Sequence, residues 1–218
     1  MVDGAAEAGD EGAMSPSSEP KRLWRIALAL NQAADAGALP PLLFFTDPAR
    51  TPRPWQTAAR LPAGAAVVYR HFGAGDALAT AQRLRAATRG AGVRLLIGLD
   101  AELARAVEAD GVHLPQRAVA RAPDLKAARP DWIVTGAAHG PIDGAGLDAA
   151  VVSPVFQAGG ASATRPALGP AGFKALVERL AVPAYALGGL NDENAETLMG
   201  SGACGLAGVE GVVAAFGP

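Results

Sequence analysis

The sequence has little cysteine, few aromatic residues and almost no net charge, and each shortage excludes a class of protein. A single cysteine, Cys204, excludes an internal disulfide framework and fits a reducing, cytoplasmic setting. Aromatic residues make up 5% of the 218 residues, against 50% hydrophobic residues overall, which favours a helix-rich or α/β chain over an aromatic-rich sandwich. No basic block or basic–aromatic stripe is present, so we expect no nucleic-acid partner.

Long hydrophobic runs are absent as well. The longest last about eight residues, against the roughly 20 that cross a bilayer, so we expect no membrane partner. Residues 1–20 hold five acidic side chains and no basic one, and they lack the basic-then-apolar order of a secretion signal. We expect them to form a disordered acidic tail. Residues 21–218, with 19 basic against 16 acidic side chains, are expected to form one domain, and their slight positive charge permits anionic substrates.

After this tail, the chain alternates between short apolar runs and helical segments. An amphipathic pattern over residues 21–34 predicts an extra helix at the start. Eight strand candidates follow, apolar along their whole length, as strands covered on both faces are. Eight such units in about 180 residues predict a (β/α)8 TIM barrel, with a doubly wound open sheet as the alternative. Residues 140–148 contain three glycines, which predicts a shortened or missing fifth helix, and residues 192–200 are expected to be helical.

Two glycine-rich strand ends are candidates for phosphate binding. In a barrel of this kind, functional groups lie at the carboxyl ends of the strands. Gly188 and Gly189 follow the seventh strand, and Gly208 and Val209 end the eighth. Glycine allows the main chain to approach an anion closely and to offer its N–H groups. Two tight turns without a ligand are the alternative, and Glu210 would repel a phosphate unless its side chain points away.

Arg70 and His139 are the side chains most suited to chemistry. Arg70 ends the second strand, where a guanidinium can clamp an anion or form a salt bridge. His139 follows the fifth strand, where it is either an acid/base group, since imidazole can move protons near neutral pH, or a solvated loop residue. His113 lies within a strand and is expected to be a hydrogen-bonded core residue, while His71, beside Arg70, is expected to be structural.

Metal ligands are poorly represented in the sequence. No pair of carboxylates or Cys/His residues shows ligand spacing, and Asp100 is the only acid near the end of the third strand. We therefore predict no metal site. Cys204, in an Ala-Cys-Gly-Leu run, is expected to be a small buried filler.

Several of these segments resemble the thiamine-phosphate synthase/TenI superfamily. The similarity extends over about residues 42–216, and its markers are Phe45-Thr-Asp47, Gly111-Val-His-Leu-Pro-Gln116, Val152-Ser-Pro-Val-Phe156, Arg165-Pro-Ala-Leu-Gly169 and Pro183-Ala-Tyr-Ala-Leu-Gly-Gly-Leu190. The resemblance implies a (β/α)8 barrel acting in thiamine biosynthesis. It also implies that Gly188, Gly189, Gly208 and Val209 hold the phosphate of a phosphorylated thiazole.

The synthase pattern of the superfamily is broken at several positions. Synthases carry Gln-x-Arg-x-Lys after the second strand, where only Arg70 is retained. They carry Asn-Asp after the third strand, where this chain has Gly98-Leu99, and an acid after the fourth, where it has Arg117-Ala118. Both carboxylates that would bind Mg²⁺ are replaced. His139, in contrast, matches a histidine that TenI members use to carry a proton.

Three functions follow from the resemblance. The first is a TenI-like isomerase of a phosphorylated thiazole, with His139 as general acid/base, Arg70 holding a substrate carboxylate, and no cofactor. The second is a thiamine-phosphate synthase with altered metal ligands, which would need Mg²⁺. The third is a paralogue that binds the ligand without turnover. The sequence leaves a homo-oligomer open.

Overall fold

The computed structural model describes residues 21–159 and 164–218 and shows eight parallel strands in a closed barrel. Each strand pairs with the next along the chain, and the eighth closes the sheet against the first. The prediction of a (β/α)8 barrel is thereby confirmed, and the open sheet is excluded. The strands are β1 (Leu42–Phe45), β2 (Ala66–Tyr69), β3 (Arg94–Gly98), β4 (Gly111–Leu114), β5 (Ile133–Ala138), β6 (Ala149–Val152), β7 (Ala184–Leu187) and β8 (Ala203–Gly208).

Alternate strand residues build two apolar layers. Leu43 and Phe45 point into the barrel, where Val68, Val151 and Tyr185 join the same buried cluster. Their neighbours along each strand pack outward, beneath the helices. Both faces of every strand are therefore covered, which is why the strands are apolar along their length.

The helices surround this sheet and vary widely in length. The α-helices are α1 (Arg22–Ala33), α2 (Pro54–Ala58), α3 (Ala77–Ala91), α4 (Ala101–Ala106), α5 (Ala122–Ala128), α6 (Gly169–Val177) and α7 (Glu210–Phe216). The described residues also form 3-10 helices at Gln116–Arg121 and Ala195–Leu198.

The extra N-terminal helix that the sequence predicts is present as α1, and it packs at the amino end of the barrel. Asn31 is buried near its end and donates its amide hydrogens to the carbonyls of Ala36, Leu39 and Cys204. The Tyr185 hydroxyl donates to the carbonyl of Pro40 at 2.7 Å. Together these bonds fix the segment after α1 beneath the strands.

The last two sequence predictions about helices had different outcomes. No helix forms between β5 and β6, in agreement with the glycine-rich sequence there. The prediction of a helix over residues 192–200 is wrong, because only the short 3-10 helix Ala195–Leu198 forms. The Asn191 side chain accepts hydrogen bonds from the main-chain N–H groups of Glu193 and Asn194. Such Asx bonds offer the backbone a local alternative to an α-helix.

The remaining expectations concern the tail, the cysteine and membranes. The proposed tail, residues 1–20, lies outside the described residues. Cys204 is fully buried, and burial raises the pKa of its thiol to about 12. Along the described residues, every helix is too short or too polar to span a lipid bilayer.

Candidate functional site

A cleft of about 390 Å³ opens at the carboxyl ends of the strands. The loops after β1, β2, β6, β7 and β8 form its walls. Of the candidate residues from the sequence, the cleft brings together Arg70, Gly188, Gly189, Gly208 and Val209. This is the region of a barrel where ligands bind, and it is called the cleft below.

The two glycines after β7 have backbone conformations that other residues rarely adopt. Gly188 has φ +105° and Gly189 has φ +62°. A Cβ on Gly189 would lie 2.3 Å from the Gln157 carbonyl oxygen, and one on Gly188 would lie 2.9 Å from the Cα of Pro154. The loop after β6 therefore packs directly on this backbone, which alone requires glycine here. Among the described residues, no acceptor takes a hydrogen bond from either main-chain N–H.

The loop after β8 lies beside the loop after β7. Gly208 is the last residue of β8, and Val209 precedes α7. A Cβ on Gly211 would lie 2.0 Å from the Leu190 carbonyl oxygen, so this loop packs closely against the one after β7. The two loops thus present their main-chain atoms to the same side of the cleft.

Arg70 lies across the cleft and is only partly satisfied by hydrogen bonds. Its Nε donates to the Thr46 carbonyl at 2.8 Å, and its guanidinium lies against the rings of Phe45 and Phe72 at 5.3 and 5.4 Å. Its buried Nη2 has no hydrogen-bond acceptor among the described residues and lies 3.9 Å from Asp47 Oδ2. Burial lowers the pKa of Arg70 to about 10, against the opposing effect of the Asp47 charge.

Phe72 is the exposed partner in this arrangement. Its side chain is 69% exposed and its φ is +48°, an uncommon backbone region for a bulky residue. The neighbouring His71 steadies the loop, because its Nδ1 accepts the Gly73 N–H at 3.1 Å and its Nε2 lies 3.6 Å from Asp100 Oδ2. His71 is therefore part of the loop structure.

His139 does not line the cleft itself but contacts Ser153, which does. Its Nδ1 lies 2.8 Å from the carbonyl oxygen of Ser153, a residue that lines the cleft. A carbonyl only accepts hydrogen bonds, so Nδ1 donates and Nε2 is the acceptor atom of the neutral ring. Arg165 Nη1 lies 2.8 Å from Nε2 and donates to it. The imidazole is thus held in one tautomer, and Arg165 occupies its basic nitrogen.

His113 has a different environment from the other two histidines. It is buried inside the barrel, where its Nδ1 lies 3.0 Å from Thr135 Oγ1 and its ring meets Phe45 edge-to-face at 4.9 Å. Burial lowers the pKa of His113 to about 3, and the charge of Arg70 adds to this effect. These contacts match the core role that the sequence predicts.

Sequence reasoning missed Arg50, which lines the cleft between two carboxylates. Its Nη2 donates to Asp47 Oδ2 at 3.0 Å, and its Nη1 reaches Glu210 Oε2 at 3.5 Å. The Thr-Asp-Pro segment at the end of β1 was the available signal, since Asp followed by Pro favours a turn that can hold a side chain at the strand end.

The carboxyl ends of β3 and β4 do not offer the ligands that Mg²⁺ prefers. Asp100 caps α4, because its Oδ1 accepts the Leu103 N–H at 2.8 Å. The residue before it, Leu99, is apolar. After β4, Gln116 has an amide in place of a carboxylate, and its Oε1 accepts the His139 N–H. Nowhere in residues 21–159 and 164–218 do three or more His, Cys, Asp or Glu side chains form a group that could hold a metal ion. The described residues therefore do not fit the metal site of the synthase pattern.

Comparisons with known proteins agree with this fold and cleft. A family model described as thiamine monophosphate synthase (TMP-TENI) matches residues 42–212. The thiamine-phosphate synthase of Methanospirillum hungatei is 33% identical over 149 residues, which cover 64% of this chain and 70% of that protein. The thiamine-phosphate synthase of Chloroflexus aurantiacus is 35% identical over 171 residues, which cover 72% of this chain and 76% of that protein.

A solved structure shows the same architecture. The thiamine phosphate pyrophosphorylase from Pyrococcus furiosus superposes with a TM-score of 0.66 at 24% identity, covering 81% of this chain and 91% of that one. The family match covers both walls of the cleft, from β1 to the start of α7. The chain therefore belongs to the thiamine monophosphate synthase (TMP-TENI) family of thiamine-biosynthesis enzymes.

Proposed function

We propose that this chain is a TenI-like isomerase, which shifts a proton within a phosphorylated thiazole. One observation supports this reading over the others. His139 lies beside the cleft and is held in a single tautomer by the carbonyl of Ser153, a residue that lines it, with Nε2 as a proton acceptor. A proton shift needs such a group together with anchors for the substrate.

The phosphate is assigned to the loops after β7 and β8. Gly188 and Gly189 carry N–H groups without acceptors among the described residues, and Gly208 and Val209 line the same side of the cleft in the neighbouring loop. Consecutive main-chain N–H groups in left-handed conformations form concave anion sites. Phosphate sites of barrels also commonly lie after the seventh and eighth strands.

Arg70 is assigned to a carboxylate on the substrate ring. Its guanidinium lines the cleft, with one side held by the Thr46 carbonyl and its Nη2 group lacking an acceptor among the described residues. A buried donor without a partner is costly, and an anionic ligand that drew the guanidinium into a bidentate contact would relieve that cost.

His139 then acts as general base and general acid in turn. Its Nε2 takes a proton from the ring system of the substrate, and the resulting imidazolium returns a proton at the second position, so that no atom is gained or lost. Arg165 occupies Nε2 at 2.8 Å and must move aside for the substrate. The Ser153 carbonyl keeps the Nδ1–H in place through both steps. The proposed chemistry requires no cofactor.

Thiamine-phosphate synthase is the second candidate, and the names of the relatives favour it. Both relatives described above carry that name, at 33% and 35% identity. A synthase must neutralise a diphosphate leaving group, commonly with a metal ion. The described residues offer Arg70 and Arg50, but they contain no group of three or more His, Cys, Asp or Glu side chains that could hold a metal ion. This deficiency places the synthase second.

One set of assays separates the candidates. Isomerisation of the thiazole phosphate is followed by NMR in deuterated water, with Mg²⁺ or with a chelator. We expect turnover that chelation leaves unchanged, and a loss of about 10²- to 10⁴-fold in His139→Asn, as for removal of a general acid/base. Asp143→Asn, an exposed change in the same β5–β6 loop, is the control.

The contrary outcomes are equally distinct. Coupling of a pyrimidine diphosphate to the thiazole phosphate that requires Mg²⁺ would establish the synthase instead. Tight binding of the thiazole phosphate with neither reaction would establish a paralogue without turnover. Absence of thiazole phosphate binding would reject the substrate class altogether.

A further inference from the structure

The cleft contains a pair of charged side chains, Arg50 and Glu210, that the proposed chemistry does not use. Arg50 belongs to the loop after β1, and Glu210 is the first residue of α7, after β8. Both line the cleft beside the glycine loops. Their side chains meet with Nη1 of Arg50 3.5 Å from Oε2 of Glu210.

One arm of Arg50 is firmly fixed. Asp47 Oδ1 accepts the N–H groups of Ala49 and Arg50, and the Thr51 hydroxyl accepts the Asp47 N–H at 2.8 Å and donates to its carbonyl at 2.9 Å. From this closed turn, Asp47 Oδ2 accepts a hydrogen bond from Arg50 Nη2 at 3.0 Å. The guanidinium is therefore oriented before any ligand arrives.

The other arm of Arg50 is weakly held. Its contact with Glu210 is at the limit of hydrogen-bond distance, whereas an arginine–carboxylate bond is normally about 2.7–2.9 Å. The Glu210 side chain is 66% exposed, while that of Arg50 is 23% exposed. An exposed ion pair of this length contributes little, so Glu210 can leave Arg50 at small cost.

The contact between Arg50 and Glu210 also explains how an acidic residue can lie beside the proposed phosphate site. A free carboxylate beside Gly208 and Val209 would repel phosphate, but a carboxylate bonded to Arg50 is neutralised. In the absence of ligand, Glu210 occupies Nη1, the arm of Arg50 that Asp47 does not bind. A phosphate monoester carries more charge and three acceptor oxygens, and it is the stronger partner for an arginine.

We propose that Arg50 is the side-chain partner of the substrate phosphate and that Glu210 occupies its Nη1 until the phosphate displaces it. The position of the phosphate rests on the proposed function. Asp47 holds Arg50 throughout the exchange, so only the exposed glutamate moves. The exchange selects for phosphorylated ligands, because an uncharged alcohol cannot replace a carboxylate at a guanidinium.

Calorimetric titration with thiazole phosphate, inorganic phosphate and the matching thiazole alcohol tests the exchange. Arg50→Gln removes a charge-assisted contact and should weaken binding of both phosphate ligands by about 10- to 100-fold. Arg50→Lys should recover part of this loss. Glu210→Gln removes the competitor and should tighten both by about 3- to 10-fold, with the sign opposite to that of Arg50→Gln. Affinity for the alcohol should not change in any variant.

Two matched variants control for nonspecific effects of charge. Arg53→Gln alters an exposed arginine on the same loop, and Glu193→Gln alters an exposed glutamate after β7; neither lines the cleft. Both should bind as the unmodified chain does. Circular dichroism checks that Arg50→Gln folds, and Glu210→Gln tests the proposal without disturbing the Asp47 turn.

Each remaining outcome decides the question. Unchanged phosphate affinity in folded Arg50→Gln, or weaker affinity in Glu210→Gln, overturns the proposal while the isomerase assignment stands. If inorganic phosphate binds through Arg50 but thiazole phosphate does not bind, the proposed function fails and the exchange stands. If no phosphate ligand binds the unmodified chain, both are rejected.

Discussion

Two half-buried cations lie at opposite ends of the barrel and are satisfied to different degrees. Lys126 lies at the amino end, and its Nζ donates to the Trp132 carbonyl and to both carboxylate oxygens of Asp148 at 2.6–2.8 Å. Arg70 lies at the carboxyl end, where its Nη2 has no acceptor among the described residues. Their side chains are similarly exposed, at 32% and 23%.

This difference separates a group that stabilises the fold from one that is available to a ligand. Asp148 also accepts the Val134 N–H at 2.7 Å, so the amino-end cluster connects α5 to two neighbouring strands. Arg70 connects fewer elements and keeps hydrogen-bonding capacity in reserve, which is costly in a folded protein. We therefore expect substitutions at the two ends to affect different properties.

Of the changes that compare the two ends, Arg70→Met should have the largest effect, and this effect is on catalysis. The substitution retains an apolar stem against Phe45 and removes the guanidinium that we assign to the substrate carboxylate. We expect kcat/KM for the isomerisation to fall by about 100-fold. The free energy of unfolding should change by less than about 1 kcal/mol, because the cation is already incompletely bonded. A large loss of stability with unchanged kcat/KM would remove the distinction between the two ends.

The matched change at the amino end is Lys126→Met, which should lower the free energy of unfolding. It leaves Asp148 half-buried without its cation and the Trp132 carbonyl without its donor. Losing one partner of a buried pair costs 3–5 kcal/mol, and partial exposure reduces this to about 2 kcal/mol. Urea unfolding measures the loss, and kcat/KM should be unchanged. A loss of activity in a folded protein would contradict the assignment.

A third prediction concerns the buried histidine between the two ends. Burial lowers the pKa of His113 to about 3, far below its value in an unfolded chain. Between the two values the unfolded state binds a proton and the folded state does not, so stability falls as the pH decreases. We expect a loss of about 1 kcal/mol between pH 6.5 and 5.5 from this group, because the unfolded histidine is only half protonated at the upper pH.

The measurement compares urea unfolding at several pH values in the unmodified chain and in His113→Gln. The variant should lose stability at pH 7, yet its stability should fall less steeply as the pH decreases. His139→Gln serves as the control at the barrel rim, where the side chain contacts exposed Arg165. Parallel pH profiles of stability for the unmodified chain and His113→Gln would mean that the pKa of His113 is the same in the folded and unfolded states, which contradicts the prediction.

The fold could be predicted from the sequence because its signals are local. Each apolar run and each intervening amphipathic segment identifies its own element, and parallel strands place their carboxyl ends at one edge. That rule alone groups Arg70 with Gly188 and Gly208 before any coordinates are known. The helix expected over 192–200 was wrong because the Asn191 side chain competes for the same N–H groups.

The polar contacts of the cleft depend on partners far apart in the chain. Arg50 and Glu210 are 160 positions apart, and Arg165 lies 26 positions after His139. No periodicity or spacing rule reports a pairing between two loops, so Arg50 in its Pro-Ala-Arg-Thr-Pro segment is indistinguishable from a solvated arginine. Charge pairs between loops are visible only after the barrel has closed.

The smallest expected effect concerns Asp47, the carboxylate between Arg50 and Arg70 at the carboxyl end. Burial alone would raise its pKa, but the hydrogen bonds and charge of Arg50 outweigh burial, and the pKa lies below 3.8. Because the folded-state pKa is depressed, its stabilising contribution is present above the unfolded value and is lost as the pH falls through the lower folded value. We expect that contribution to be below about 1 kcal/mol. Carboxyl NMR titration of Asp47 should give a midpoint below the ordinary aspartate value in the unmodified chain and a higher midpoint in Arg50→Gln, where the side-chain hydrogen bond and the charge of Arg50 are lost while the main-chain N–H groups still donate. An unchanged midpoint in Arg50→Gln would mean that Arg50 is not held by Asp47 in solution, and the amino-end cluster would then be the only one of the two in which a cation is fixed before a ligand binds.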